Sequence, residues 1–175
     1  MSAAEHPVSA GGVFVVRPAT NADLPEILRL NSEWEHVTSR LDEERLADLH
    51  RQAAYHRVAE ADGRVAAFLL ALPPGAAYDS PNYRWFDRSS DAFLYIDRIV
   101  VGRAYQRAGL GAELYADLLE FAAQRGVERL VCEVDIEPLN VASDAFHRRR
   151  GFVEVGTQWL ALGTKRVSLR EYLLG

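Results

Sequence analysis

The residues best suited to chemistry lie in one stretch, VVGRAYQRAGLGAELY, from Val100 to Tyr115. A β-branched and aromatic run leads into it from Phe93, and a helix-like pattern leads out from about Gly111. Between them stand Arg103, Gln106, Arg107, Gly109 and Gly111. A strand-to-helix turn bares the first backbone N–H groups of the helix, which sit at the positive end of its dipole. The two glycines keep Cβ atoms away, so a phosphate can reach the backbone, and the arginines add charge. This describes an anion site, most simply a pyrophosphate cradle. The plainer alternative is a tight turn that needs glycine for its backbone alone. A P-loop is disfavoured because no Gly-Lys-Ser/Thr follows, and the third glycine of a dinucleotide fingerprint is missing.

Acid–base candidates flank this stretch. Asp97 shares one strand face with Phe93, Tyr95, Ile99 and Val101 by the period of two. A carboxylate among apolar neighbours has a raised pKa and can take a proton from an ammonium; the alternative is a buried ion pair with Arg98 or another basic residue. Glu133 and Asp135 alternate on a neighbouring strand, where one can recognise a cation or both can be solvated. Cys132 reads as a small buried residue rather than a nucleophile. Arg148, Arg149 and Arg150 read as a solvated helix face or as contacts to a phosphate. His36, His50 and His56 lack metal-ligand spacing, and no metal is expected.

These residues need a scaffold of alternating elements. Val13–Thr20 reads as a strand, and a helix follows it, capped at Thr20 or Asn21, with Leu24, Ile27, Leu28 and Trp34 in helical spacing. Leu41–Ala53 is a second helix, capped by Asp42. Strands Tyr55–Ala61 and Arg64–Leu72 meet across Asp62–Gly63, a strong hairpin turn. Pro73–Asp91 reads as a long loop, either a functional flap or one packed on the core. Then come strand Ala92–Gly102, helix Gly111–Gln124 closed by Gly126, strand Val127–Ile136, a helix from Asn140 to Gly151, and two last strands joined near Gly163. The strand–helix–strand unit around 93–135 should be a right-handed parallel crossover. The fold class is therefore α/β, an α+β mixed sheet with helices on both faces. The last strand, with VSLREYLL, is expected to leave an apolar edge that a homodimer can cover.

Composition sets the outer limits. The chain has 175 residues, 49% apolar and 26% charged, with net charge −5 from 20 basic and 25 acidic residues. That argues against non-specific nucleic-acid binding. A single cysteine fits a reducing, cytoplasmic setting. The N-terminus reads as a loose tail over residues 1–12, not a signal peptide, followed by a single domain over residues 13–175. No apolar run is long enough for a membrane span.

Two spaced motifs resemble the GNAT superfamily of N-acetyltransferases. The first is Arg/Gln-x-x-Gly-x-Gly/Ala after a strand ending in Val, present as Gln106, Arg107, Ala108, Gly109, Leu110 and Gly111 after Val101. Gln106 stands where Arg is commoner, and Arg107 where Gly is commoner. The second is Asn-x-x-Ala/Ser-x-x-apolar-Tyr-x-x-x-Gly-Phe, present as Asn140, Ser143, Phe146, His147, Gly151 and Phe152, with His147 in place of Tyr. VRPATNADLPEI also resembles the family's first strand and helix, so the likeness spans about residues 13 to 172.

The resemblance implies a GNAT-like fold, acetyl-CoA as co-substrate, no metal, and attack of a primary amine, from a small molecule or peptide, on the thioester. It implies that Gln106 to Ala112 hold the pyrophosphate, that Ile99 or Val101 offers a backbone N–H to the thioester carbonyl, and that Asn140 and Ser143 lie along the pantetheine arm. It makes His147 a candidate acid toward the leaving thiolate and Asp97 a candidate base toward the amine. The acceptor would be read by Trp34, the Tyr83–Phe86 loop and the last two strands. The rival from another class is a non-catalytic acyl-CoA-binding sensor; a nucleotide-binding regulator is the third reading.

Overall fold

The structure, a computed structural model, describes residues 14–89 and 92–175. The tail expected at residues 1–12 lies outside the described residues. The elements run β1 (Phe14–Pro18), α1 (Leu24–Ser32), α2 (Glu43–Gln52), β2 (Tyr55–Ala61), β3 (Arg64–Leu72), α3 (Pro81–Asp87), β4 (Phe93–Val101), α4 (Leu110–Gln124), β5 (Arg129–Glu137), α5 (Val141–Arg149), β6 (Val153–Leu160) and β7 (Lys165–Leu173). The strands form one mixed sheet in the order β1-β2-β3-β4-β5-β7-β6. As expected for a crossover through α4, β4 and β5 run parallel. The pairs β1–β2, β2–β3, β5–β7 and β6–β7 are antiparallel.

Local chemistry explains the boundaries. The β2–β3 hairpin turns on Asp62 and Gly63, both at positive φ (51° and 74°), as a two-residue hairpin loop requires. Asp42 caps α2 by accepting from the Arg45 N–H at 2.8 Å. Asn140 caps α5 by accepting from the Ser143 N–H at 3.1 Å. Gly126, at φ 64°, follows α4 as a left-handed stop.

Two readings of the sequence need correction. The stretch 73–91 is not simply a loop, because it contains α3. Ser80 starts this helix by accepting from the Tyr83 N–H at 3.3 Å, and Pro81 takes the first turn. Seven residues are too few to show a helical period, but the Ser-Pro pair was a legible start signal. Nor is β7 an edge: it lies between β5 and β6 and is hydrogen-bonded along both sides. Both of its hydrogen-bonding edges are paired, so β7 offers no free edge to a second copy. The edge there is β6.

The chain forms two compact units, one of residues up to 71 with 98–120, the other of residues 72–97 with 121–175. In the first, Ile27, Leu30, Leu46, Leu49, Val58 and Phe68 are buried. The Asp23 carboxylate closes a capping box with Thr20 and takes two hydrogen bonds from Arg17, each 2.9 Å, which hold its carboxyl well below the usual range. In the second unit, Tyr83, Phe93, Tyr95, Leu130, Val131, Val167 and Leu169 are buried. There the buried Arg170 guanidinium pairs with Asp144 of α5 and donates to Ser168 Oγ at 3.0 Å, fastening α5 to β7. Among the described residues no helix is long and apolar enough to cross a membrane, and no group of three or more His, Cys, Asp or Glu could hold a metal ion.

Candidate active site

The first unit contains the turn from Val101 to Ala112. Gly102 closes β4 by donating its N–H to the Ala66 carbonyl at 2.9 Å. A Cβ here would stand 2.7 Å from Leu30 Cδ2 and 3.2 Å from the Ala66 carbonyl oxygen, so any other residue forces a neighbour to shift. A short 3-10 turn, Arg103–Tyr105, follows. The chain then passes through Arg107 at φ 65° and Gly109 at φ 85° before α4 begins at Leu110. Nothing lies within 4 Å of where a Gly109 Cβ would sit. Glu113 is the first N–H at the start of α4 to find a carbonyl, that of Gly109 at 3.1 Å. The N–H groups of Leu110, Gly111 and Ala112 are the orphan donors of the helix start. The turn thus presents helix-start N–H groups beside open space at Gly109, the arrangement that binds anions elsewhere.

The side chains around the turn have other tasks. The Val101 carbonyl accepts from Trp34 Nε1 at 2.9 Å and from Gln106 Nε2 at 2.8 Å. Trp34 and the Gln106 side chain therefore brace the end of β4. Arg103 donates from Nε and Nη2 to the Glu33 carbonyl (3.2 and 2.8 Å) and stands over the Trp34 ring, so its charge is engaged at the end of α1. Arg107 is exposed, and among the described residues it makes no hydrogen bond or ion pair. Its left-handed backbone explains why glycine suits this position. Ile99 is half-buried, on the same strand face as Val101.

The second unit gathers carboxylates and tyrosines. The β4–β5 ladder ends at Tyr95↔Val131, though both strands continue. Past that last pair stand Asp97 and Glu133. The Tyr78 hydroxyl donates a hydrogen bond to Asp97 Oδ1. The Tyr95 hydroxyl donates to Glu133 Oε2 at 2.7 Å. Tyr78, Tyr83 and Tyr95 pack with ring centroids 5.3–6.3 Å apart. Burial pushes the Glu133 carboxyl up to about 7; the Asp97 charge adds to this, while the hydrogen bond from Tyr95 opposes it. Burial, then the charges of Glu133 and Asp97, drive the Tyr95 hydroxyl well above its ordinary value. Arg98, the next residue after Asp97, has its side chain on the other strand face, donating to Asn31 Oδ1 at 2.9 Å and to the Ser39 hydroxyl at 2.9 Å. Asp135 pairs with Lys165 at 2.9 Å.

His147 is buried, between Phe146 and Phe152 in edge-on packing. Its Nδ1 lies 2.8 Å from the Ser143 carbonyl, an arrangement in which the ring nitrogen donates. Burial pulls its pKa down to about 4, so at neutral pH the ring is uncharged. Ser143 thus serves both the Asn140 cap and the His147 ring. Cys132 is buried and its thiol is pushed up by burial, which makes it inert as a nucleophile. Arg148 pairs with Asp144 one turn back at 3.0 Å, and Arg150 lies over the Phe146 ring.

Sequence reasoning gave Glu133 only a secondary part and missed Tyr78 as the partner of Asp97. For Glu133 a signal was present, an acid in phase with the apolar Val131 on a strand with buried residues. Tyr78 had no local signal, since the contact spans nineteen residues and depends on how the chain enters α3.

The acetyltransferase (GNAT) family model matches residues 21–152, and the chain belongs to this family. No curated protein sequence matches it. Among solved structures, Ard1 from Thermoplasma volcanium is similar with TM-score 0.76 and 16% identity, over 92% of this chain and 97% of that one. A ribosomal-protein-alanine N-acetyltransferase from Brucella melitensis is similar with TM-score 0.69 and 25% identity, over 91% and 99%. The protein yncA from Salmonella typhimurium, solved with its cofactor acetyl-CoA, gives TM-score 0.68 and 20% identity, over 93% and 94%. The mixed seven-stranded sheet is thus the fold of acetyltransferases of this family.

Proposed function

We propose that this chain transfers the acetyl group of acetyl-CoA to a primary amine of a small molecule or peptide, with Glu133 as the proton acceptor. The observation that carries this reading is a carboxyl raised to about 7 beside a second carboxylate, on a strand face lined with tyrosines. A base poised near neutrality suits removal of a proton from an ammonium. Asp97 assists by its charge, which favours a cationic group nearby and raises the proton affinity of Glu133. The Tyr95 hydroxyl, too weak an acid to ionise, keeps the carboxylate oriented.

Acetyl-CoA would supply the acyl group as a thioester. The bare N–H groups of Gly109 to Ala112 fit its pyrophosphate, and the open space over Gly109 admits it. Ile99 and Val101 offer backbone groups at the end of β4 for the pantetheine arm; for Asn140 and Ser143 the resemblance alone supports a cofactor contact. The neutral, hydrogen-bonded ring of His147 is better suited to bracing α5 than to donating a proton, so we place it among positioning residues. A cytoplasmic setting agrees with an acidic chain and a lone, buried thiol.

The test is a screen of amines with acetyl-CoA, reading free thiol. Acetyl-CoA-dependent thiol release that depends on the amine supports the reading. Tight acetyl-CoA binding with no release from any amine would favour a non-catalytic sensor. Once an acceptor is known, the rate should rise with pH through about 7 and lose that limb in Glu133→Gln.

A further inference from the structure

Within the second unit, the start of α3 reaches Glu133 of β5. Ser80 and Pro81 begin this helix and set Asn82 in its first turn, where it is only 5% exposed. Tyr83 fastens the segment before the helix: its hydroxyl donates to the Pro73 carbonyl and accepts from the Ala76 N–H, each at 2.7 Å. Asp87, one turn on, accepts from the Gly75 N–H at 2.8 Å. The entry to α3 is therefore held, and Asn82 with it. A buried amide needs partners at both of its ends. Asn82 Oδ1 accepts from Gln158 Nε2 of β6 at 3.0 Å. With the carbonyl end so occupied, the NH2 end is left to donate, and it donates to the Glu133 carboxyl. Glu133 thus has donors from two elements, the Tyr95 hydroxyl of β4 at 2.7 Å and the Asn82 amide of α3. The Tyr95 ring packs edge-on against Tyr83, the residue after Asn82, at 5.3 Å.

The charges on the elements around Glu133 are mostly engaged. On β4, Asp97 acts on Glu133 as a like charge and accepts from the Tyr78 hydroxyl. Along β5 and β7, Arg129 pairs with Glu171 at 3.4 Å and Asp135 with Lys165 at 2.9 Å. On β6, Glu154 accepts from Ser168 Oγ at 2.7 Å. On α3, Asp87 holds Gly75 and Arg84 is exposed. What α3 brings to the carboxyl is a neutral donor. A hydrogen bond donated to a carboxylate favours its charged form. Asn82 therefore opposes the rise that desolvation and Asp97 impose on Glu133. Desolvation and charge set how strongly Glu133 takes a proton; the two donors set how readily it gives the proton up and which way it faces.

We propose that Asn82 is a positioning residue for proton removal, its amide turned toward the Glu133 carboxyl by Gln158. This rests on Glu133 being the proton acceptor, so the test reads the carboxyl itself before it reads turnover. The full chain is isotope-labelled at the glutamate side-chain carboxyl carbon and titrated by NMR, with the Glu133 signal identified by its absence in Glu133→Gln. Asn82→Leu, which keeps the volume and removes the amide, should move the Glu133 midpoint upward by about 0.5–1 pH unit, the worth of one hydrogen bond. A change that merely loosened the site would admit water and move the midpoint down instead. Gln158→Met, at a half-buried strand position, should move the midpoint up by less, because the Asn82 amide is then free to turn. Added to Asn82→Leu, it should do nothing more. Once an acceptor amine is known, the rise of kcat with pH should shift together with the midpoint. An unmoved or lowered midpoint in Asn82→Leu would overturn the relay and leave Glu133 as the base. A midpoint that moves while the rate limb stays would overturn Glu133 as the base, and the positioning role with it. If Asn82→Leu does not fold, Gln158→Met decides alone: an upward shift supports the relay and an unmoved midpoint overturns it.

Discussion

The turn from Val101 to Ala112 and the cluster around Asp97 and Glu133 are built from different materials. The turn is mostly backbone: two left-handed residues, bare N–H groups and an exposed surface, all within a dozen positions. The cluster is side chains from distant places: Tyr78 from the segment before α3, Asp97 and Tyr95 from β4, Glu133 from β5. Backbone donors keep the same strength at any pH in the working range. The Glu133 carboxyl draws its basicity from desolvation and from the neighbouring Asp97 charge, so the cluster can be tuned and can be broken by a single atom. The turn is suited to binding an anion of fixed shape, the cluster to moving a proton.

The contrast is broken most severely by Glu133→Gln. It keeps the shape and the bond to Tyr95 but removes the proton acceptor. With an acceptor amine in hand, kcat should fall about 10²- to 10⁴-fold while acetyl-CoA affinity stays near wild type. Asp97→Asn should move the pH limb of Glu133 downward, because the neighbouring charge that raises it is gone. A kcat for Glu133→Gln within a few-fold of wild type would assign proton removal to water.

Two titratable groups in the second unit should also write opposite slopes into stability. Glu133 has its folded pKa raised to about 7, so between its unfolded value near 4.5 and pH 7 the folded chain holds the extra proton and stability falls as pH rises. His147 has its folded pKa lowered to about 4 from 6.5, so over pH 4 to 6.5 the unfolded chain holds the extra proton and stability rises with pH. Each slope is about 1.4 kcal/mol per pH unit at full separation. In wild type the two oppose each other from about pH 4.5 to 6.5. Chemical unfolding of Glu133→Gln over that window should therefore show stability climbing with pH more steeply than in wild type, and His147→Phe should show it falling. Parallel profiles for all three proteins would mean that neither group is perturbed.

Two glycines of the turn separate binding from packing. At Gly109 the backbone is left-handed and the Cβ direction is open, so Gly109→Ala should cost about 1–2 kcal/mol of stability through backbone strain and weaken acetyl-CoA binding as well. At Gly102 the backbone is ordinary but the Cβ would meet Leu30, so Gly102→Ala should cost about 1–3 kcal/mol by overpacking with less effect on binding. Calorimetry of acetyl-CoA binding on both folded variants checks the division; equal losses of affinity would mean that the turn responds as one rigid piece.

What was legible in the sequence follows the same division. The turn could be read from Val101 to Gly111 because glycine, charge and the switch from period two to period 3.6 are all local. The hairpin at Asp62–Gly63, the Asp42 and Asn140 caps and the crossover were legible for that reason. The Tyr78–Asp97 contact was not, since it depends on a short helix whose seven residues carry too little periodicity. The place of β7 was hidden because strand order is a long-range property: an apolar last strand reads the same whether it ends a sheet or is inserted between β5 and β6. His147 was read from its position two turns after Asn140, a reading silent about Phe152, whose ring packs edge-on against it.

The smallest change tests the turn at its departure from the motif. Arg107 holds φ at 65°, a conformation that costs an L-residue about 1–2 kcal/mol and glycine almost nothing. Glycine gives back about 0.5–1 kcal/mol by freeing the unfolded chain. Arg107→Gly should therefore leave stability unchanged or raise it, by up to about 1.5 kcal/mol after the two terms offset. It also removes an exposed positive charge next to the bare N–H groups. Acetyl-CoA affinity should drop modestly at low salt, and the gap from wild type should close as salt is raised, because an exposed charge is screened over about 8 Å at physiological ionic strength. A gap that persists at high salt would show that the Arg107 side chain makes a direct, desolvated contact with the cofactor. Backbone donors alone would then not account for the cradle.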